Sequence, residues 1–454
     1  MIPILTPEEM AAVDDAAPEP VEVLVARAGA AVARAAVRLL GGTYGRRVVV
    51  IAGKGNNGAD GREAARRLRR LGARVTVVPA AGAGRAVPPC ALVVDAAYGT
   101  GMRGSWEPPE PGPAPVLAVD IPSGVDGHTG EAAGPVLAAR HTVTFAALKP
   151  GLVLGEGRRL AGEVTVADIG LDVGCSRARL VTDADVTGWL PRAGMESHKW
   201  RSAVWVVAGS PGMTGAAVLA TRGAQRAGAG YVRLSTPGGQ PASAAPVEAV
   251  ELCLAPDDWA DQVLGGLDRF GALVVGPGLG RDDATAAQVR RLVGRSPRPT
   301  VVDGDGLTAL GERPTGLPPA TVLTPHDGEY ARLTGHPPGA DRLAAARALA
   351  AGSGATVLLK GSTTVVAEPA GEIRVVTAGG PRLATAGTGD VLSGVIGALL
   401  AQGVAPLDAA AAGAHVHGRA AALGWPRGLV AGDLPDLVPA VLSTGADHRH
   451  PDPW

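Results

Sequence analysis

Short unbroken apolar runs, each closed by a polar or glycine-rich turn and followed by a stretch of helical spacing, recur along most of the chain. Residues 7–40 carry Ala, Val and Leu at mixed helical spacing, interrupted by Pro18 and Pro20, and predict two helices that cover a sheet. Then the period changes. Arg47-Val48-Val49-Val50-Ile51-Ala52-Gly53 is a continuous run of the kind that a parallel sheet buries on both faces, and Lys54 to Gly61 predicts a glycine-asparagine loop ahead of a helix with Arg-rich turns. Further strands are predicted at 74–78, 91–95, 116–120 and near 141–145. Pro191, Gly194 and neighbouring charge break both periodicities over 183–200, which puts a domain boundary near 192. Beyond it the pattern resumes, with strands predicted at 202–208, 231–235, 272–275, 300–303, 320–323 and 357–359, and a buried helix over the apolar run from Val391 to Leu400. The fold class is α/β, in two domains at 1–192 and 193–445, with a disordered tail expected at 446–454.

Length agrees with this division, since 454 residues at about 150 per domain suggests two or three cores. Hydrophobic residues make up 46% of the chain but aromatics only 3%, so those cores are built from Ala, Val and Leu. A net charge of −1 supplies no basic field for nucleic acid or an anionic membrane, and small ligands are the expected partners. Cys90, Cys175 and Cys253 are far apart with no CxxC pairing, which argues against a zinc site or a disulfide framework and fits a reducing cytoplasm. No apolar stretch reaches the ~20 residues of a membrane span. One bias is more telling. Only Lys54, Lys149, Lys199 and Lys360 are lysine among 42 basic residues, and each sits in a glycine-rich or histidine-containing motif, which suggests places where a compact ammonium cannot be exchanged for a guanidinium.

The chemistry gathers at strand ends. Ala384-Thr385-Ala386-Gly387-Thr388-Gly389-Asp390 ahead of the apolar run predicts a tight turn at a helix start, whose unpaired N–H groups and dipole make an anion site. A carboxylate there repels a phosphate, so Asp390 is read either as a helix cap or as the base that takes a proton from an attacking hydroxyl. Lys360 with Thr363 and Thr364 would set an ammonium and two hydroxyls near nucleotide phosphates, and Glu329 beside His326 would help order magnesium. His326 has a plainer reading as a helix-start residue. His415 and His417, two apart in a helical run, share no face and read as structural. In the first domain the 54–61 loop offers backbone N–H groups and two amide carbonyls, able to hold a phosphate and a hard monovalent cation. Asp95 and Asp120 close two strands beside glycine loops, and Lys149 lies on the same rim.

These motifs carry a resemblance. Asn56-Asn57-Gly58-Ala59-Asp60-Gly61, the Asp95 loop, Asp120-Ile121-Pro122-Ser123-Gly124 and Leu148-Lys149-Pro150-Gly151, in this order, resemble the NAD(P)H-hydrate epimerase domain, a Rossmann-like three-layer α/β/α fold. The resemblance implies that Asn56, Asn57, Gly58, Ala59 and Asp60, together with Gly99, Thr100, Gly101, Met102, Arg103, Gly104 and Ser105, hold the hydrated nucleotide and that Asp120 contacts it. It also implies K+ on Asn57, Asp95 and Ser123. Exchange of the R and S hydrates at C6 of the nicotinamide ring is the implied reaction, with Asp120 and Lys149 the candidates for handling the proton by position. Ala59 stands where the family has glycine, and its methyl is expected to crowd a close backbone approach or to demand a positive φ. Tyr98 stands near a family phenylalanine.

Gly387-Thr388-Gly389-Asp390 resembles the ribokinase-like superfamily. With His198-Lys199, Gly276-Pro277-Gly278-Leu279-Gly280, Thr324-Pro325-His326-Asp327-Gly328-Glu329 and Leu359-Lys360-Gly361, the second half resembles ADP-dependent NAD(P)H-hydrate dehydratase. That implies Ala216, Gly278, His326 and Asp390 on the hydrate, and Lys360, Gly361, Ser362, Thr363, Thr364 and the turn Gly387, Thr388 and Gly389 on ADP, with Mg2+. Gly304 and Gly306 replace family alanines, and 236–250 lacks a Pro-Glu-aliphatic pattern. Taken together, NADHX and NADPHX are the expected substrates, with no nucleic acid and no membrane among the partners and a homo-oligomer as the expected assembly. A ribokinase-like small-molecule kinase with an accessory domain is the rival reading, and a nucleotide sensor without turnover is another.

Overall fold

The computed structural model describes residues 1–454 except 83, 103, 133, 192–197, 239–244 and 444–454. Arg103, the boundary expected near 192 and the tail expected at 446–454 therefore lie outside the described residues. The chain separates into two compact units, one of Ile2–Ala178 and one of Arg179–Trp454 with Met1.

In the first unit, β1 (Ile2–Ile4) bridges Leu148, and the sheet is formed by β2 (Arg47–Ala52), β3 (Arg74–Pro79), β4 (Leu92–Ala96), β5 (Val116–Val119), β6 (His141–Phe145) and β7 (Glu163–Ala167). Its order is β3-β2-β4-β5-β6-β7, and all its pairings are parallel. The pleat sorts side chains by parity. Val48, Val50 and Ala52 join Val94, Ala31, Val32, Ala64 and Leu68 under the helices Val21–Leu40 and Asn56–Arg70. Ile51 and Val93 face the other way, onto Trp106 and Leu137. The predicted strands and both early helices are found, Pro7–Asp15 being the first of them and capped by Thr6. The loop after β2 is shorter than expected, because the helix begins at Asn56 and leaves 53–55 as the turn.

The second unit contains β8 (Ala178–Leu180), β9 (Ala203–Val207), β10 (Tyr231–Ser235), β11 (Val250–Glu251), β12 (Ala272–Val275), β13 (Thr300–Val302), β14 (Thr321–Leu323), β15 (Thr356–Leu359), β16 (Thr364–Ala367) and β17 (Ile373–Val376). The order is β8-β17-β16-β15-β14-β13-β12-β9-β10-β11. Strands from β15 to β11 pair in parallel, while β16 and β17 form an antiparallel addition that the sequence pattern did not predict. Val204, Val206, Val274 and Val322 pack under helices Thr214–Arg226, Thr388–Ala401 and Pro406–Leu423. Trp205 points to the opposite face, where the end of helix Trp259–Gly266 comes up against its ring. The register is what matters for function: Val207, Val275, Val302, Leu323 and Val357 stand in one row, so the residues that follow them emerge at one edge.

Candidate functional site

Each unit carries a crevice at the carboxyl ends of its parallel strands. In the first, a cleft of about 990 Å³ is lined by the Gly53, Lys54, Gly55 turn, by Asn56, Asn57 and Asp60 of the following helix, by the run from Tyr98 to Met102, and by Asp14, Asp120 and Lys149. The turn brings the helix start very near the sheet, since a Cβ on Gly58 would lie 2.0 Å from the Gly53 carbonyl oxygen. That closeness leaves room only for hydrogen.

Asp120 follows β5 with φ +68, an unusual conformation for a side chain-bearing residue, and its N–H donates to Val143 O at 2.7 Å. The twist turns its carboxylate to Lys149, whose Nζ lies 2.6 Å from Asp120 Oδ1. Lys149 is 2% exposed and donates as well to Thr144 Oγ1 at 2.9 Å and Phe145 O at 3.1 Å, while the Thr144 hydroxyl donates to Asp120 Oδ1 at 3.1 Å. Asp120, Thr144 and Lys149 thus form one charge-paired, hydrogen-bonded unit at the cleft wall. Asp60 differs from Asp120 in having no hydrogen bond or ion pair among the described residues. Burial, with the charges of Asp120 and Asp14 added, pushes its carboxyl up to about 8.

Asp95 does not line the cleft. It is wholly buried, accepting from Ser123 N at 2.9 Å, Ser123 Oγ at 2.7 Å and Ala97 N at 3.2 Å. Burial raises this carboxyl against those hydrogen bonds. Beside the cleft, both polar atoms of the Asn57 side chain are buried without a hydrogen-bond partner. A buried amide with no partner, and a buried carboxylate bonded to a hydroxyl, are donor types that suit a weakly hydrated monovalent cation, so by chemistry Asn57, Asp95 and Ser123 fit the ion that the resemblance implies.

Of the remaining residues expected on the hydrated nucleotide, Gly99, Thr100, Gly101 and Met102 line the cleft, whereas Gly58, Ala59, Gly104 and Ser105 do not. Ala59 lies inside the helix with ordinary helical φ, so the demand for a positive φ expected of it does not arise. Asp14 is the residue that sequence reasoning missed here. It closes helix Pro7–Asp15, and only the burial of Met10 and Val13 on one helical face would have hinted that Asp14 turns toward the sheet end.

The second crevice is organised by Asp303, immediately after β13. Its carboxylate is fully buried and accepts from Thr324 Oγ1, Lys360 Nζ and Ser393 Oγ, each at 2.7 Å. Burial works against the ionised form, but Lys360 and the two hydroxyls outweigh it and hold Asp303 below the usual carboxylate range. Burial works against the charged form of Lys360 too, but Asp303 and Glu329 outweigh it and hold the ammonium above its usual range. A Cβ on Gly389 would lie 3.3 Å from Lys360 Nζ. The lysine therefore sits directly beneath the glycine turn, where a phosphate would meet both.

Helix Thr388–Ala401 opens at Gly387, whose φ of +90 turns the chain so that the first N–H groups point into the crevice. Asp390 lies in the first helical turn without capping it. Burial pushes its carboxyl up to about 7, Asp303 adds to the shift, Lys360 opposes it, and Asp305 and Glu329 add further. A carboxyl poised there is what a general base at neutral pH requires. On the facing wall Ala216 and Gly278 meet, a Cβ on Gly278 falling 3.0 Å from Ala216 Cβ.

His326 has the plainer role expected of it as an alternative. Its Nδ1 accepts from Gly328 N at 3.0 Å and Glu329 N at 3.3 Å, and Glu329 Oε2 accepts from His326 N at 2.9 Å, a reciprocal cap that leaves the ring half-exposed. Gly361 and Ser362 are exposed, Thr363 is buried and Thr364 opens β16. His415 pairs with Asp183 at 2.6 Å. His417 is buried with an unpartnered Nε2, and burial pulls it down to about 4.

Lys199 is not at either crevice. It precedes β9, at the amino end of the sheet, with its ammonium 5.9 and 5.8 Å from the ring centres of Trp200 and Tyr231. Asp303, by contrast, is a site residue that the sequence reading above does not single out, although the strand-end rule that points to Asp95 and Asp120 applies to it equally.

Known proteins agree with this division. A family model described as NAD(P)H-hydrate dehydratase matches residues 204–439, and one described as YjeF-related protein N-terminus matches 21–85 and 79–151. The bifunctional NAD(P)H-hydrate repair enzyme Nnr of Mycobacterium leprae is 41% identical over 88% of this chain and 89% of its own. That of Salinibacter ruber is 38% identical over 87% of each. Among solved structures, ADP/ATP-dependent NAD(P)H-hydrate dehydratase from Bacillus subtilis, co-crystallised with ATP and Mg2+, is 30% identical over 58% of this chain and 97% of its own, with a TM-score of 0.52. A ribokinase-like protein from Enterococcus faecalis, 23% identical with a TM-score of 0.53 over 59% of this chain and 96% of its own, shares the fold. With both crevices built on one chain and matched relatives aligned along most of it, the protein belongs to the family of bifunctional NAD(P)H-hydrate repair enzymes.

Proposed function

We propose that the chain repairs hydrated nicotinamide cofactors in two steps, the first unit interconverting R and S hydrates of NADH and NADPH and the second dehydrating the S form at the expense of ADP. The observation that carries the second step is the stacking of Lys360 and the Gly387, Thr388 and Gly389 turn beside Asp390. In this reading Ala216, Gly278 and His326 position the hydrate and Asp390 takes the proton of its C6 hydroxyl. The oxygen attacks the terminal phosphoryl group of ADP, AMP leaves, and the helix N-terminus with Lys360 holds the charge that spreads over the transferring group. Departure of phosphate restores the dihydropyridine. Mg2+ bound with the nucleotide would offset phosphate charge, Glu329 would help order it, and the 360–364 segment would contact the nucleotide.

For the first step the Asp120, Thr144 and Lys149 unit handles the proton on the oxygen at C6, while the turn at 53–57 and the 99–102 segment orient the nucleotide. K+ held by Asn57, Asp95 and Ser123 would fix these loops by charge and oxygen coordination. Among the described residues no helix is long and apolar enough to cross a membrane and the cysteines are free, which supports a cytoplasmic setting. The test is recovery of dihydronicotinamide absorbance from a mixture of R and S hydrates with ADP, with ATP and without nucleotide. Complete recovery with ADP is expected; none with any nucleotide would overturn the reading.

A further inference from the structure

The first cleft contains more carboxyl groups than the Asp120–Lys149 pair accounts for. Asp60, on the helix that follows β2, is 7% exposed and lines the cleft, yet no described residue donates to it or pairs with it. Asp120 comes from a different element, the end of β5, and has taken the Lys149 ammonium. The remaining charged groups at the cleft do not change this balance: Asp14, Asp15 and Glu19 add negative charge at the mouth, and Lys54 is the one other cation lining it among the described residues.

Resting on the epimerase reading of this unit, we propose that Asp60 is the proton donor to the departing C6 oxygen, with Asp120 as the proton acceptor. Two carboxyls of unlike state on two elements are the arrangement that inverting a carbinol centre needs. Asp60 gives its proton to the C6 hydroxyl as the C6–O bond breaks, its electron pair leaving with water. The N1 lone pair closes a C6–N1 iminium. Water adds to the other face of C6 and loses a proton to Asp120, and that proton returns to Asp60 through solvent before the next turnover. A carboxyl held up at about 8 is protonated at neutral pH and fits the donor role.

The experiment follows epimerisation of the pure R hydrate across pH in the full chain, with ADP-dependent turnover of the S hydrate on the same chain as the control for folding. Wild type should lose rate as pH rises through about 8. Asp60→Asn should lower kcat at least ~100-fold with KM nearly unchanged, and early product formed in 18O-labelled water should carry the label at C6. Undiminished kcat in Asp60→Asn with dehydration intact, or early product without the label, overturns the proposal. Wild type that fails to epimerise at any pH would instead refute the reading of the unit.

Discussion

Asp390 and Asp303 are carboxyls of one crevice that both feel the Lys360 ammonium, yet their environments drive them in opposite directions. Asp303 holds the lysine at hydrogen-bonding distance together with two hydroxyls, and Asp390 feels the lysine only by charge while facing three other acids. Dehydration should therefore rise with pH through about 7, as Asp390 loses its proton, and a pH–rate profile of the S hydrate with saturating ADP checks this. Asp390→Asn should cut turnover by at least ~100-fold and leave nucleotide binding by calorimetry intact. His417 supplies a second titration, with the opposite consequence for stability. Its folded value of about 4 lies below the ordinary value near ~6.5, so the unfolded chain binds the proton first. The contribution of neutral His417 is complete above ~6.5 and is lost as pH falls toward 4. Thermal melts of wild type and His417→Gln should converge over that interval.

At the scale of elements, the second crevice depends on one helix crossing. Helices Thr388–Ala401 and Thr214–Arg226 approach so nearly that a Cβ on Gly394 would lie 1.9 Å from the Ala220 carbonyl oxygen. Backbone cannot yield as a side-chain tip does. Gly394→Ala should cost about 1–3 kcal/mol or more, measured by denaturant unfolding, and should slow dehydration more than epimerisation. The elements themselves were largely legible. Apolar runs such as Ala272–Val275 announce buried parallel strands through their continuity, and Gly387-Thr388-Gly389 announces a helix start. The β16–β17 pair was hidden because Thr364–Ala367 follows a glycine-rich turn that reads equally well as a ligand loop. Edge strand β7 (Glu163–Ala167) alternates polar and apolar positions without forming a run. Lys199 shows a different limit: its motif was visible, but only the three-dimensional arrangement reveals that it precedes β9 and so lies at the wrong end of the sheet.

At the scale of the whole molecule, two crevices with separate acid–base groups make the activities separable on one chain. Asp120→Asn should leave recovery from an R and S mixture stalled once the S fraction is consumed, apart from slow spontaneous exchange, and addition of a chain carrying Asp390→Asn should restore it. Absorbance traces of the two variants, alone and mixed, read this directly; full recovery by Asp120→Asn alone would place the proton transfer elsewhere.

The three-way grip of Asp303 on Thr324, Lys360 and Ser393 also bears on how such a protein can decay. Losing Lys360 alone leaves an uncompensated acid in the interior at a cost of about 3–5 kcal/mol, and losing Asp303 alone leaves the ammonium only the longer contact with Glu329 at 3.9 Å. A lineage drifting from repair enzyme to passive nucleotide binder must cross that deficit or replace both residues together, so single mutations in this pair are purged through folding before loss of catalysis is ever put to selection.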